Sequence, residues 1–256
     1  MKQRIVVVTR GGTGIGRAIA GRFLRDGSAV VLTGRRGAVM EDSRDQILEA
    51  TSMPAGHVTS MPADLAAPLA VDLLAERIAS RHGSVEVLVN NAGAHTEADW
   101  ISLADTARQW EADLRSNMLT AALTTQALTP MLRSLGDRII NISSITAFRG
   151  GLAPFHAATK AALIGWTYHM VEELSSGGIT VNGVAPGYIE DTEFFGGAMT
   201  PARLDRLRGE TLTGTVGTPA DVAEAVAYLA LEAASFTTGE VLHVNGGALL
   251  QRRRRS

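Results

Sequence analysis

The sequence predicts an α/β protein made of one domain, in which a parallel sheet is covered by helices on both faces. Three observations lead there. Stretches of β-branched and apolar residues alternate with stretches whose apolar positions recur at helical spacing, beginning with Arg4–Thr9 and Gly14–Arg25. The stretch from Ile139 is apolar on both strand faces up to Ser143 and Ser144, which suits a strand buried between two helix layers. Finally, 256 residues with 45% hydrophobic content and no break in composition are enough for one large core.

Composition also excludes several kinds of function. A formal net charge of −2 gives no reason to expect a nucleic-acid partner. The absence of cysteine excludes disulfides, thiolate chemistry and cysteine zinc sites, and no metal site is expected. The first strand starts within a few residues of Met1, which leaves no room for a signal peptide, and no apolar run reaches the ~20 residues of a membrane span. A cytoplasmic protein is expected, with the domain over residues 1–250 and a basic tail over 251–256. The Arg252–Arg255 run reads as a solvated chain end.

Arg10 to Gly16, between the first strand and the first helix, carries Gly11, Gly12, Gly14 and Gly16. Such a turn lets backbone N–H groups approach a phosphate at the positive end of a helix. Ala29–Thr33 is the second strand and is followed by Arg35 and Arg36. Dinucleotide folds that select NAD place an acid near here, whereas arginine favours the 2′-phosphate of NADP. NADP(H) is therefore expected over NAD(H), unless both arginines only cover the adenine or point into water.

A weak helix over 38–55 closes near Pro54, and a short strand follows around His57–Met61. Asp64 and Leu65 come next, Asp64 reading by itself as a turn or capping residue. A helix over Pro68–Arg81 leads to a strand over Val85–Val89, which ends in Asn90, Asn91, Ala92 and Gly93. Consecutive amides before small residues suit a place where backbone groups need partners and another chain or ligand comes close. His95 reads as a surface or cleft residue. Ala104–Leu132 is predicted as one long helix, with Asn117 polar among Leu114, Met118, Leu119 and Leu123.

The central stretch runs from the strand at Ile139 through a glycine-containing loop to a helix opening near Pro154. Ser143 and Ser144 lie at the carboxyl end of the strand, where open α/β sheets bind ligands. On the helix, His156 and Lys160 are four residues apart and share one face. Ile179–Val184 is the next strand, leaving through Pro186, Gly187 and Ile189 toward Thr192. Residues 193–215, with Phe194, Phe195, Gly196, Gly197 and Met199, are either a lid over an apolar substrate or an ordinary packing helix. Thr218 caps a helix over Pro219–Leu231, and Glu240–Val244 is the last strand.

These motifs, in this order over roughly residues 3–250, resemble the short-chain dehydrogenase/reductase family. The resemblance implies a Rossmann fold with a seven-stranded parallel sheet, a nicotinamide cofactor, and a homo-oligomer, tetramer or dimer. Arg10, Gly11, Thr13, Gly14, Ile15 and Gly16 match its cofactor turn, except that Arg10 replaces the first glycine. Either Gly11 takes over the turn, or Arg10 itself adopts φ > 0 and its guanidinium meets a phosphate. Asp64 and Leu65 match the adenine contact. Asn91, Ala92 and Gly93 belong to its Asn-Asn-Ala-Gly motif, and Pro186, Gly187, Ile189 and Thr192 match the stretch that meets the nicotinamide.

The implied catalytic residues are Asn117, Ser144, His156 and Lys160, with Lys160 also holding cofactor. The family's usual separation selects Ser143 and the strand register selects Ser144, so both stay open. His156 stands where the family has tyrosine, the proton donor to the carbonyl oxygen. An imidazole donates a proton only as a cation, whose ordinary pKa is about 6.5, and a lysine charge beside it opposes that cation. The implied function is hydride transfer between the nicotinamide and a largely apolar ketone or secondary alcohol. The alternatives are a non-redox enzyme with His156 as general base, and a binding or assembly homologue that has lost catalysis.

Overall fold

The computed structural model describes residues 3–94, 102–132, 136–151, 154–193 and 199–250. His95, Phe194 to Gly197 and the Arg252–Arg255 run lie outside the described residues. Seven strands form one sheet: β1 (Ile5–Thr9), β2 (Ala29–Gly34), β3 (Val58–Pro62), β4 (Val87–Asn90), β5 (Arg138–Ile142), β6 (Thr180–Pro186) and β7 (Val241–Val244). Their order is β3-β2-β1-β4-β5-β6-β7, and all pairs are parallel. The chain direction across the sheet reverses between β1 and β4, so a crevice opens at their carboxyl ends.

Alternate residues of each strand feed separate cores on the two sheet faces. Val6, Val8, Val30 and Leu32 pack with Ile19, Phe23 and Leu24 of α1 (Gly14–Arg25) and with Val222 and Val226 of α9 (Pro219–Leu229). Val7, Leu88, Ile139 and Val181 face the other way, against Leu74 and Ile78 of α3 (Pro68–His82) and Leu128 of α5 (Thr120–Leu128). Burial on both faces is why these strands read as continuous apolar runs.

Most predicted elements recur within a few residues, including α2 (Gly37–Thr51), α7 (Pro154–Leu174) and α9, whose Thr218 and Asp221 form a reciprocal capping box. Two elements differ from expectation. The long helix expected over Ala104–Leu132 is α4 (Leu103–Leu114) and α5, separated by a wider π-turn at Arg115–Leu119, and it ends in a 3-10 turn at Thr129–Met131. Asn117 sits inside the π-turn and is fully buried, which fits the tendency of such bulges to mark functional positions. The loop after β5 contains a short α6 (Thr146–Arg149). The 193–215 stretch contains α8 (Pro201–Gly209), which has no fully buried residue but keeps Arg203, Leu204 and Leu207 partly covered.

Candidate active site

The crevice is held together by side chains reaching between strand ends. The Thr9 hydroxyl accepts from the backbone N–H of Asn91 at 2.9 Å and of Ala92 at 2.8 Å. Asn91 Nδ2 donates to the carbonyls of Thr9 and Arg10 at 3.1 and 3.3 Å. Asn90 donates to Asn141 and Thr125, and Asn141 to Thr167, each at 2.9 Å, which extends the network along β5 to α7. These bonds answer the polar groups that a strand terminus would otherwise bury unpaired. They also bring helix α1 so close that a Cβ on Gly16 would lie 2.2 Å from the Arg10 carbonyl.

Arg10 itself takes the left-handed conformation, with φ +49°. Gly11 does not take over the turn; it is instead needed for close packing, since a Cβ there would sit 2.7 Å from Leu32 Cδ2. For a non-glycine residue that conformation costs about 1–2 kcal/mol. The guanidinium crosses the crevice, where Nη1 donates to the carbonyl of Gly93. Its Nη2 lies 3.9 Å from the Glu193 carboxylate. In this structure the Arg10 guanidinium thus meets a carbonyl and a carboxylate. Burial lowers its pKa, although Glu193 acts in the opposite sense.

The two serines at the end of β5 differ in what they face. Ser143 is buried and donates to the Lys160 carbonyl at 2.8 Å, so its hydroxyl is spent on α7. Ser144 is half-buried, and its oxygen accepts from the N–H and hydroxyl of Thr146 at 3.2 and 2.9 Å. Lys160 is buried, with Nζ donating to the Ile142 carbonyl at 2.8 Å. Desolvation first, and then the charge of Arg10, lower its pKa from 10.5 to about 7, against an upward pull from Asp113.

His156 is 4% exposed, and its Nδ1 lies 3.3 Å from the Ala94 carbonyl. A carbonyl only accepts, so in this contact Nδ1 carries a hydrogen and Nε2 is the nitrogen at which the ring gains or loses a proton. Asn117 clasps the same residue from the other side. Its Nδ2 donates to the Ala94 carbonyl at 2.9 Å and its Oδ1 accepts from the Ala94 N–H at 3.2 Å. One carbonyl therefore fixes the orientation of both His156 and Asn117. Asp113, one turn before Asn117 and 1% exposed, escaped sequence reading because an aspartate on a helix usually faces solvent.

The other predicted contacts divide between the crevice and the core. Arg35 and Arg36 are exposed beyond β2, and Arg36 pairs with Glu193 at 2.6 Å. Asp64 accepts from the N–H of Ala66 at 3.1 Å and pairs with Arg115 at 3.3 Å. The side chains of Leu65 and Ile189 belong to the two cores, which leaves only their backbones for a ligand. Ile15 packs at the edge of the first core. Pro186 accepts from the N–H of Ile145 at 2.9 Å. Gly187 lies so close to Asn245 that a Cβ would come within 2.8 Å, and Thr192 lies against Gly14.

The groups present fit a dinucleotide. Gly14 has φ +48°, the first turn of α1 has no side-chain cap, and a cavity of about 490 Å³ lies beside it, lined by Gly12, Thr13, Arg17, Ala38 and Val39 among others. Glu193, which no sequence motif marks, also faces this cavity. Among the described residues there is no metal-binding cluster of three acidic or histidine side chains, and no helix long and apolar enough to cross a membrane.

Comparison with known proteins places this geometry. The family model described as enoyl-(acyl carrier protein) reductase matches residues 11–248. The 3-oxoacyl-[acyl-carrier-protein] reductase FabG of Aquifex aeolicus is 33% identical over 249 residues, covering 96% of this chain and 98% of that protein. The protein of the same name from Escherichia coli is 34% identical over 251 residues, covering 95% of this chain and 96% of its own. A crystal structure titled short-chain dehydrogenase/reductase SDR:Glucose/ribitol dehydrogenase, from Brucella melitensis, superposes with a TM-score of 0.85 at 29% identity, covering 96% of each chain. With the parallel seven-stranded sheet, the glycine turn and the serine and lysine at the end of β5, the chain belongs to the short-chain dehydrogenase/reductase family and is an NAD(P)-dependent oxidoreductase.

Proposed function

We propose that this protein reduces the ketone of an apolar, 3-oxoacyl-type substrate at the expense of NADPH, with His156 giving the proton that the family's tyrosine gives. The observation that carries the reading is the junction at Ala94, where one carbonyl orients His156 and Asn117 within the crevice that Ser144 and Lys160 border. A nicotinamide held in the crevice would supply the hydride for the carbonyl carbon. Ser144, with an oxygen held by Thr146, polarises the carbonyl oxygen, and His156 Nε2 delivers the proton to it. Lys160 assists by charge and holds the cofactor ribose, while Asn117 keeps Ala94 and the ring in place.

The preference for NADP(H) rests on the exposed Arg35 and Arg36 beyond β2, with no acid at that point. Gly12, Thr13, Gly14 and Gly16 receive the pyrophosphate, Asp64 with the backbone of Leu65 the adenine, and Asn91, Ala92 and Gly93 the adjoining ribose. Pro186, Gly187, the backbone of Ile189 and Thr192 border the nicotinamide. Residues 1–250 act as one domain. The exposed Trp110, Leu114, Leu119 and Tyr168 of α4, the π-turn and α7 supply a surface on which copies of the chain associate.

The test is NADPH oxidation, followed by absorbance, with 3-oxoacyl thioesters and simple apolar ketones, and with the 3-hydroxy product identified. No product on that panel, together with tight NADPH binding, moves the assignment to a nucleotide-binding homologue without turnover. The 4% exposure of His156 and the arginine across the crevice favour that second reading.

A further inference from the structure

Glu193 has no place in the reaction described above, yet its carboxylate is fixed by three groups that line the cofactor crevice. It accepts from Arg36 Nη2 at 2.6 Å and Nη1 at 3.3 Å. The Thr13 hydroxyl, at the start of α1, lies 3.4 Å away, and Arg10 Nη2 lies 3.9 Å away. These groups come from the β1–α1 turn and from the residue that opens α2, two separate parts of the crevice. The hydrogen bond with Arg36, and then the charges of Arg36 and Arg10, hold the Glu193 carboxyl below the usual carboxylate range, so it is an anion at neutral pH.

A carboxylate and a phosphate monoester ask the same thing of a guanidinium: two parallel N–H donors. Arg36 turns the Nη1–Nη2 edge of its guanidinium to Glu193, so a ligand phosphate that takes this edge has to replace the carboxylate. The side chain also places negative charge beside the Thr13–Gly14 turn, which receives the pyrophosphate in the proposed function, and like charges there oppose each other.

We infer that Glu193 is a specificity-determining residue: an internal competitor for Arg36 that weakens binding of dinucleotides carrying a 2′-phosphate more than of those without one. The inference rests on the NADP(H) reading and extends it. A 2′-phosphate that takes the same edge of Arg36 has to displace the carboxylate first. The fraction of molecules with the carboxylate released scales the apparent affinity. The Arg36–Glu193 pair is half-exposed, with side chains 52% and 46% accessible, which sets a modest scale for the effect.

The experiment is calorimetric titration of the full chain with NADP+ and with NAD+ at low and high salt, for wild type, Glu193→Gln, Arg36→Ala and the double variant. Glu193→Gln is expected to tighten NADP+ about fivefold and NAD+ less, with a smaller gain at high salt. In the Arg36→Ala background the same substitution should leave the ratio of NAD+ to NADP+ affinity unchanged. Weaker or equal NADP+ binding by Glu193→Gln, or a fall in that ratio that persists without Arg36, overturns the competitor role while leaving the cofactor assignment standing. Failure of every variant, wild type included, to bind either dinucleotide overturns both.

Discussion

Replacing Lys160 by methionine should change how stability depends on pH more than it changes stability at any one pH. In the folded protein the ammonium is buried, burial and Arg10 bring its pKa from 10.5 to about 7, and Asp113 only partly offsets them. The unfolded chain keeps the ordinary value, so between these two pH values it binds a proton that the folded chain has lost. Stability must therefore rise with pH across this window; the penalty is fully present below pH 7 and gone above the unfolded value. Integrating the two titrations between pH 7 and pH 9 gives about 2 kcal/mol of stability gained by the wild type and absent from Lys160→Met. Urea unfolding of both proteins at several pH values isolates this term, because all other titrating groups are shared. Parallel curves would show that Lys160 titrates alike in both states and that the crevice does not disfavour its charge.

Two further substitutions probe the turn after β1. Arg10→Gly relieves about 1 kcal/mol of left-handed strain and loses a hydrogen bond of similar worth to the Gly93 carbonyl, so net stability at pH 7 should change by less than about 1 kcal/mol. It also removes a cation that depresses the Lys160 pKa, so the gain in stability between pH 7 and pH 9 should shrink; an unchanged or larger gain contradicts the electrostatic account. Gly16→Ala places a methyl 2.2 Å from the Arg10 carbonyl and should cost about 2 kcal/mol or more, together with nucleotide binding, as read by thermal unfolding with and without NADP+. A protein that tolerates alanine there would show that α1 can move away from the strand ends.

Much of this fold was legible because burial on both sheet faces writes itself into composition. β1 and β2 are apolar up to their closing residues, β5 and β6 carry buried apolar residues around Asn141 and Asn182, and the glycines of the first turn sit where a strand gives way to a helix. Residues adjacent in sequence were easy to read for the same reason: His156 and Lys160 had to share a face of α7. What escaped depends on approach between distant segments. The Arg10 side chain could be placed only once β1 and β4 were neighbours, because its partner is the carbonyl of Gly93. The π-turn at Arg115–Leu119 widens a helix whose residues carry an ordinary helical pattern, so periodicity predicted no break. Glu193 stands beside Thr13 and Arg36 in space but far from both along the chain, and nothing in its local sequence distinguishes it from a surface acid. Ser143 and Ser144 differ in surroundings that sequence does not show, since the first donates to the backbone of α7.

The proton donor is the point on which the account turns, and the pH dependence of kcat/KM for NADPH-driven reduction of a 3-oxoacyl thioester tests it most directly. An imidazole donates this proton only as a cation, so a reductase that uses His156 as its acid should lose activity as pH rises. His156→Tyr should restore activity on the alkaline side, and His156→Phe should abolish most of the rate and leave only the pH dependence that Lys160 contributes. A wild-type profile that is flat through neutrality and matched by His156→Phe would contradict the assignment of His156 as the group that protonates the carbonyl oxygen.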